Sequence, residues 1–104
     1  MSSWNILELD VIRWAEERRI IPNSTAMAQA IKTHEEVGEL LSALHRGVQR
    51  EIEDAYGDIL VTLIVGAALR DIDLIECLNG AYEEIKDRKG YLRTDGVFVK
   101  DAKQ

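Results

Sequence analysis

The 104-residue chain is 46% apolar and 31% charged, with 13 basic against 19 acidic residues and a formal charge of -6. That balance excludes a disordered or fibrous protein and argues against a nonspecific grip on nucleic acid, whose phosphates the bulk charge would repel. One proline and seven glycines leave little turn chemistry for a many-stranded sheet, so the expectation is a single all-α domain over residues 1–104.

A first amphipathic helix is expected over residues 5–19, where Ile6, Leu7, Val11, Ile12 and Ala15 recur at helical spacing with Trp14 flanking the stripe. The stretch "IPNST" breaks it, with Pro22 as the stop and Asn23, Ser24 or Thr25 as a cap for the next helix. That second helix is expected from about Thr25 to His45 and ends before Gly47. A third begins near Val48 or Gln49. Its β-branched interior, "ILVTLIVGAAL", suggests a strand, but the run is too long for one and both flanks continue at helical period. At 11 residues it also falls short of the roughly 20 that span a bilayer. A fourth helix is expected from an Asp71 or Asp73 cap to about Lys86, followed by a polar tail with "VFVK" as a short strand. The third helix is apolar on nearly every side, more than a small four-helix bundle covers, so a homo-oligomer follows. The lone Cys77 in apolar company, and an opening that mixes acid, base and tryptophan without a leader pattern, point to the cytoplasm.

The chemistry is expected where carboxylates border buried stripes. On the second helix Glu36 lies directly beside Leu40, and Glu39 stands about 60° around from Glu36. On the third, Glu51, Asp54 and Asp58 share one face within about 60°, while Glu53 points away. Like charges facing across a helix interface repel unless a cation intervenes, and between Glu35 and Arg46 there is no lysine to supply it. Oxygen-only ligation favours a hard ion, Mg²⁺ or Mn²⁺. The spacing is also compatible with ordinary acid-rich helices, so its specificity comes from the surrounding segments.

Those segments, "EEVGELLSAL", "EDAYGDILVTLI" and "AYEEIKDRKG", resemble the MazG-type all-α nucleoside triphosphate pyrophosphohydrolases, and "VIRWAEER" and "DGVFVKD" extend the resemblance over nearly the whole chain. The resemblance implies a helical bundle completed as a homodimer or homotetramer, and Mg²⁺-dependent cleavage of a nucleoside triphosphate between its α and β phosphates. Through the family's EExxE motif it implies metal ligands at Glu36 and Glu39, with Glu35 leading the motif. Glu35 or Glu36 would orient the attacking water. The family's ExxD motif is broken, because aligning its final acid on Asp58 puts Ala55 where glutamate belongs. Asp54, on the face of Asp58, is the expected replacement; the alternative register takes Glu51 to Asp54 literally.

Lys32 is either a substrate contact or the i,i+4 partner of Glu36. Lys86, Arg88 and Lys89 are candidates for the substrate's phosphate tail or simply solvated ends of the fourth helix. Asn79 is a candidate reader of a base edge, and Trp4, Trp14 and Tyr82 are stacking candidates or core. His34 precedes Glu35, but Gly38 stands where a zinc-protease HExxH needs its second histidine. The rival to an enzyme is a non-catalytic helical scaffold or nucleotide sensor.

Overall fold

A computed structural model describes residues 3–102. The chain is all-α apart from one small hairpin: α1 (Trp4–Glu17), α2 (Ile20–Asn23), α3 (Ala26–Arg46), α4 (Gln49–Leu69), α5 (Leu74–Ile85), β1 (Gly90–Leu92) and β2 (Phe98–Lys100). It divides into two compact units, the first ending at Asp73 and the second beginning at Leu74.

In the first unit the helices start and stop where local chemistry dictates. Ser3 caps α1 by accepting from the Ile6 amide, and Thr25 caps α3 by accepting from the Ala28 amide at 3.0 Å, each satisfying one of the open donors of a first turn. α3 ends at Gly47, which takes the left-handed conformation (φ 73°) that a side chain would resist, and its amide returns to the Ala43 carbonyl. His45 and Arg46 lie in that last turn, next to the exposed carbonyls and the negative end of the helix dipole. Only Val48 separates this cap from α4, so α3 and α4 fold back as an antiparallel pair. The first helix differs from expectation: it stops at Glu17, and Arg19 in the left-handed region (φ 62°) leads into the short turn α2. Ile21 within that turn is extended, and Pro22 follows a cis peptide bond.

α3 packs along α4, and α1 and α2 pack on α4. The buried apolar side chains are Ala15, Ala43, Ala55, Ile64 and Val65, so small residues at the helix contacts bring the backbones close. In the second unit, α5 precedes an antiparallel hairpin in which Tyr91 pairs with Val99 and Leu92 with Phe98. The expected "VFVK" strand is β2; its partner β1 carried no alternating signal of its own. Among the described residues no helix is long and apolar enough to cross a membrane.

Candidate active site

The antiparallel pairing of α3 and α4 sets residues level in rungs. Gln29 lies opposite Gly66, where a Cβ built on the glycine would stand 3.3 Å from the Gln29 Cβ. One turn along, the Thr33 and Thr62 hydroxyl oxygens are 2.7 Å apart. Another turn in the same direction, three residues on in α3 and four back in α4, brings Glu36 level with Asp58. The pairing closes at Arg46, whose Nε lies 2.7 Å from a Glu51 carboxylate oxygen. Carboxylates that are separate in sequence thus become neighbours because the helices are antiparallel and joined by a tight link.

Among the hollows along this pair, two border the carboxylates. One, of about 400 Å³, is lined by Glu36, Glu39, Glu51, Asp54 and Asp58 together with Ala43, Arg46 and Ala55. The other, of about 830 Å³ and mostly apolar, is lined by Val11, Trp14, Ile20, Val61 and Val65, with Asp10, Ala28, Gln29, Lys32 and Thr62. Glu36 and Asp58 belong to both linings. The acidic hollow and the apolar one are therefore neighbours, with Glu36 and Asp58 between them.

The charges within this arrangement are unevenly matched. Lys32 lies 3.5 Å from both Glu35 and Glu36, and the hydrogen bond with Glu36, followed by the charge of Glu35, raises its pKa above the ordinary lysine value. Lys32 is therefore an ion-pair partner of Glu36 and also a wall of the apolar cavity. The Glu36 side chain is only 15% exposed, so this pair is the least hydrated in the site. Arg46 occupies Glu51, and Arg50 stands 3.9 Å from Asp54, whose side chain is 65% exposed. Among the described residues neither Glu39 nor Asp58 is paired with a basic group.

Of the residues expected from sequence, Glu36, Glu39, Asp54 and Asp58 line the acidic hollow, and Lys32 lines the apolar one beside Glu36. Glu35 is on the exposed side of α3, pairs with Lys32 and lines neither hollow. Ala55 is buried in the floor between the acids, so the hollow is lined by a methyl where the ExxD pattern has a carboxylate. Both registers of that motif face the same space, since Glu51, Asp54 and Asp58 all line it. Asn79, Tyr82, Lys86, Arg88 and Lys89 belong to the second unit, where Lys86 lies 2.7 Å from Glu83 and Asn79 and Tyr82 are exposed on α5. Trp14 lines the apolar cavity with the Arg18 guanidinium 5.2 Å from its ring centre, whereas Trp4 donates to Glu8 and lines neither hollow.

The donor set suits a hard divalent cation, being five carboxylates against one lining arginine with no soft ligand. As the side chains stand, no group of three or more acidic, histidine or cysteine residues among those described converges on one point. Gathering an ion would require rotamer changes at Glu39, Asp54 and Asp58, all exposed and so open to rearrangement. Sequence reasoning missed Asp10, Gln29 and Val61 as cavity residues. Gln29 was within reach: it precedes Glu36 by seven residues, two turns on the same face.

An antiparallel helical pair with an acid-lined hollow beside an apolar one defines an α-helical protein with a carboxylate-rich site. The family described as the MazG nucleotide pyrophosphohydrolase domain matches residues 24–92, and the chain belongs to it. The domain is thus of a nucleotide-hydrolase type. The chain is also 35% identical over 66 residues to an uncharacterised 18.2 kDa protein encoded in the rep-hol intergenic region of Haemophilus phage HP1 (strain HP1c1). That alignment covers 64% of this chain and 40% of the phage protein, so the chain spans well under two thirds of its relative. No solved structure matches the chain.

Proposed function

We propose that this protein hydrolyses nucleoside triphosphates to a nucleoside monophosphate and pyrophosphate, using Mg²⁺ or Mn²⁺ held by Glu36, Glu39, Asp54 and Asp58. The observation that carries the reading is the meeting of the two hollows at Glu36 and Asp58. A nucleoside fits the apolar side with Trp14, and its polyphosphate then falls among carboxylates, where it would be repelled unless a divalent cation neutralised both. When bound, such an ion screens the phosphate oxygens and acidifies water.

The chain's own residues supply position and proton transfer. Lys32 anchors the half-buried Glu36 carboxylate, and Glu36, or Glu35 if its side chain swings inward, accepts a proton from the attacking water. The water oxygen bonds to phosphorus as the P–O bond of the α–β bridge breaks, and pyrophosphate leaves with the electron pair. Gathering the acids on two helices of one rigid pair favours precise placement over loop-borne ligands.

Self-association is part of the same proposal. On α3 the exposed Met27, Ile31 and Leu41 lie on the face opposite Glu36, and on α4 the exposed Tyr56, Leu60 and Leu63 lie opposite Asp58. A dimer or tetramer formed through these faces covers apolar surface without blocking the hollows.

The test is a panel of ribo- and deoxyribonucleoside triphosphates incubated with Mg²⁺ or Mn²⁺, with released pyrophosphate and nucleoside monophosphate quantified. We expect turnover that disappears in chelator. Absence of pyrophosphate from every nucleotide with either ion refutes the enzymatic reading.

A further inference from the structure

The larger cavity holds a side chain that neither the acid cluster nor the helix packing uses up. Its polar lining comprises Asp10, Gln29, Lys32, Glu36, Asp58 and Thr62. Lys32 is held by Glu35 and Glu36, and Glu36 and Asp58 also line the acidic hollow. Thr62 donates to the Ile59 carbonyl and meets Thr33, which commits its hydroxyl. Asp10, as a carboxylate, only accepts. Gln29 alone is a neutral group with both kinds of capacity. One of its N–H groups donates to Ser24 Oγ at 3.1 Å, which leaves a second N–H and the carbonyl oxygen.

One hydrogen bond orients that amide, and two further features place its side chain in the cavity. Ser24, the residue before the α3 cap, orients it from one end. Gly66 opposite makes room for the Gln29 stem, because any larger residue would press on it. Gln29 also stands two turns, about 10 Å along the axis, from Glu36, which leaves space for a sugar and a base ring between amide and acids. An amide so oriented, with one donor and one acceptor, matches a base edge that presents an acceptor beside a donor, and rejects an edge with the reversed order.

We propose that Gln29 is the specificity-determining residue of the cavity, reading the hydrogen-bonding edge of a nucleobase whose phosphates lie toward Glu36 and Asp58. The inference rests on the nucleotide reading of the site but is tested separately from hydrolysis. Nucleoside monophosphates of the four common bases are titrated against the full chain, binding being followed by tryptophan fluorescence and by calorimetry, and kcat/KM is measured for the matching triphosphates. Two variants are compared: Gln29→Leu, which removes both hydrogen-bonding groups, and Gln29→Glu, which keeps the shape and replaces the amide donor by an acceptor. Each is first checked for an unchanged helical circular dichroism spectrum. The expected result is that the wild type prefers one base, and that both variants lose at least tenfold in affinity for it while changing less than threefold for the poorest base. The Gln29→Leu variant then discriminates least. Base-selective binding without turnover, lost in the variants, upholds the role of Gln29 and refutes only the enzymatic reading. Base ratios that stay unchanged in both variants, or no nucleotide binding by the wild type, overturn the proposal.

Discussion

Thr33 on α3 and Thr62 on α4 hold their hydroxyl oxygens 2.7 Å apart across the helix interface, and each also approaches a carbonyl of its own helix, Gln29 at 2.9 Å and Ile59 at 2.8 Å. Two hydroxyl protons thus serve three short contacts, so the pair acts as a unit. This rung lies between Gln29 and the Glu36–Asp58 level and keeps both in register. Thr62→Val should cost about 1 kcal/mol, because the near-isosteric change leaves the part-buried Thr33 hydroxyl with a partner on its own helix only. The double variant Thr33→Val/Thr62→Val should cost less than the sum of the singles, since both partners are then apolar. Urea unfolding of the four proteins measures this, and strict additivity would show that the contact carries no coupling.

Divalent cations should act as folding ligands. If Glu36, Glu39, Asp54 and Asp58 gather Mg²⁺ only in the native state, saturating metal raises the melting temperature, by linkage worth about 2.7 kcal/mol at a hundredfold excess over Kd. Asp58→Asn should remove most of that increment without lowering the melting temperature in chelator. Identical melting of the wild type in chelator and in excess Mg²⁺ counts against the site.

The two readings of the broken ExxD motif separate at Asp54 and Glu51. Arg46 already holds Glu51 at 2.7 Å, whereas Asp54 has only Arg50 at 3.9 Å on an exposed surface. Asp54→Asn should therefore reduce hydrolysis at least tenfold, about 1.4 kcal/mol in the barrier, and Glu51→Gln less. Loss of activity on changing Glu51 with Asp54→Asn and Asp58→Asn both active would place the site one turn earlier.

Lys32 gives a pH signature of known sign. Its folded-state pKa lies above the unfolded value because of Glu36 and Glu35, so its stabilising contribution is complete below the unfolded pKa, about 10.4, and is lost as the pH rises through the folded value. The stability difference between the wild type and Lys32→Met should be flat from pH 6 to 9 and shrink only in strongly alkaline solution. A difference that changes between pH 6 and 9 would show that another group dominates.

Assembly through the exposed α4 face predicts different outcomes for two neighbours. Leu63 is 40% exposed and Val65 only 2%. Leu63→Asp should yield a folded chain of lower mass in sedimentation, whereas Val65→Asp should unfold it by burying a charge in the first unit's core. A wild type that sediments as a stable monomer at micromolar concentration would exclude the assembly.

The sequence by itself determined the long helices and the candidate ligands. Thr25 before an apolar-periodic run, Gly47 after one, and the length of "ILVTLIVGAAL" are local signals, and local signals suffice for caps and for helical period. Angular counting likewise put Glu36 and Glu39 on one helix, and Asp54 and Asp58 on the other, beside buried faces. Only the tertiary structure decided which rungs meet. The two-residue link at Gly47 and Val48 fixes the register in which Glu36 faces Asp58, Thr33 faces Thr62 and Arg46 takes Glu51, and no single-helix periodicity carries that offset. The apolar cavity was equally illegible, because Trp14, Gln29 and Val65 come from three helices and acquire a common purpose only when packed. Sequence placed Val65 with Leu63 in one apolar run, whereas packing buries the first and leaves the second half-open, since neighbouring residues on a helix face different sides.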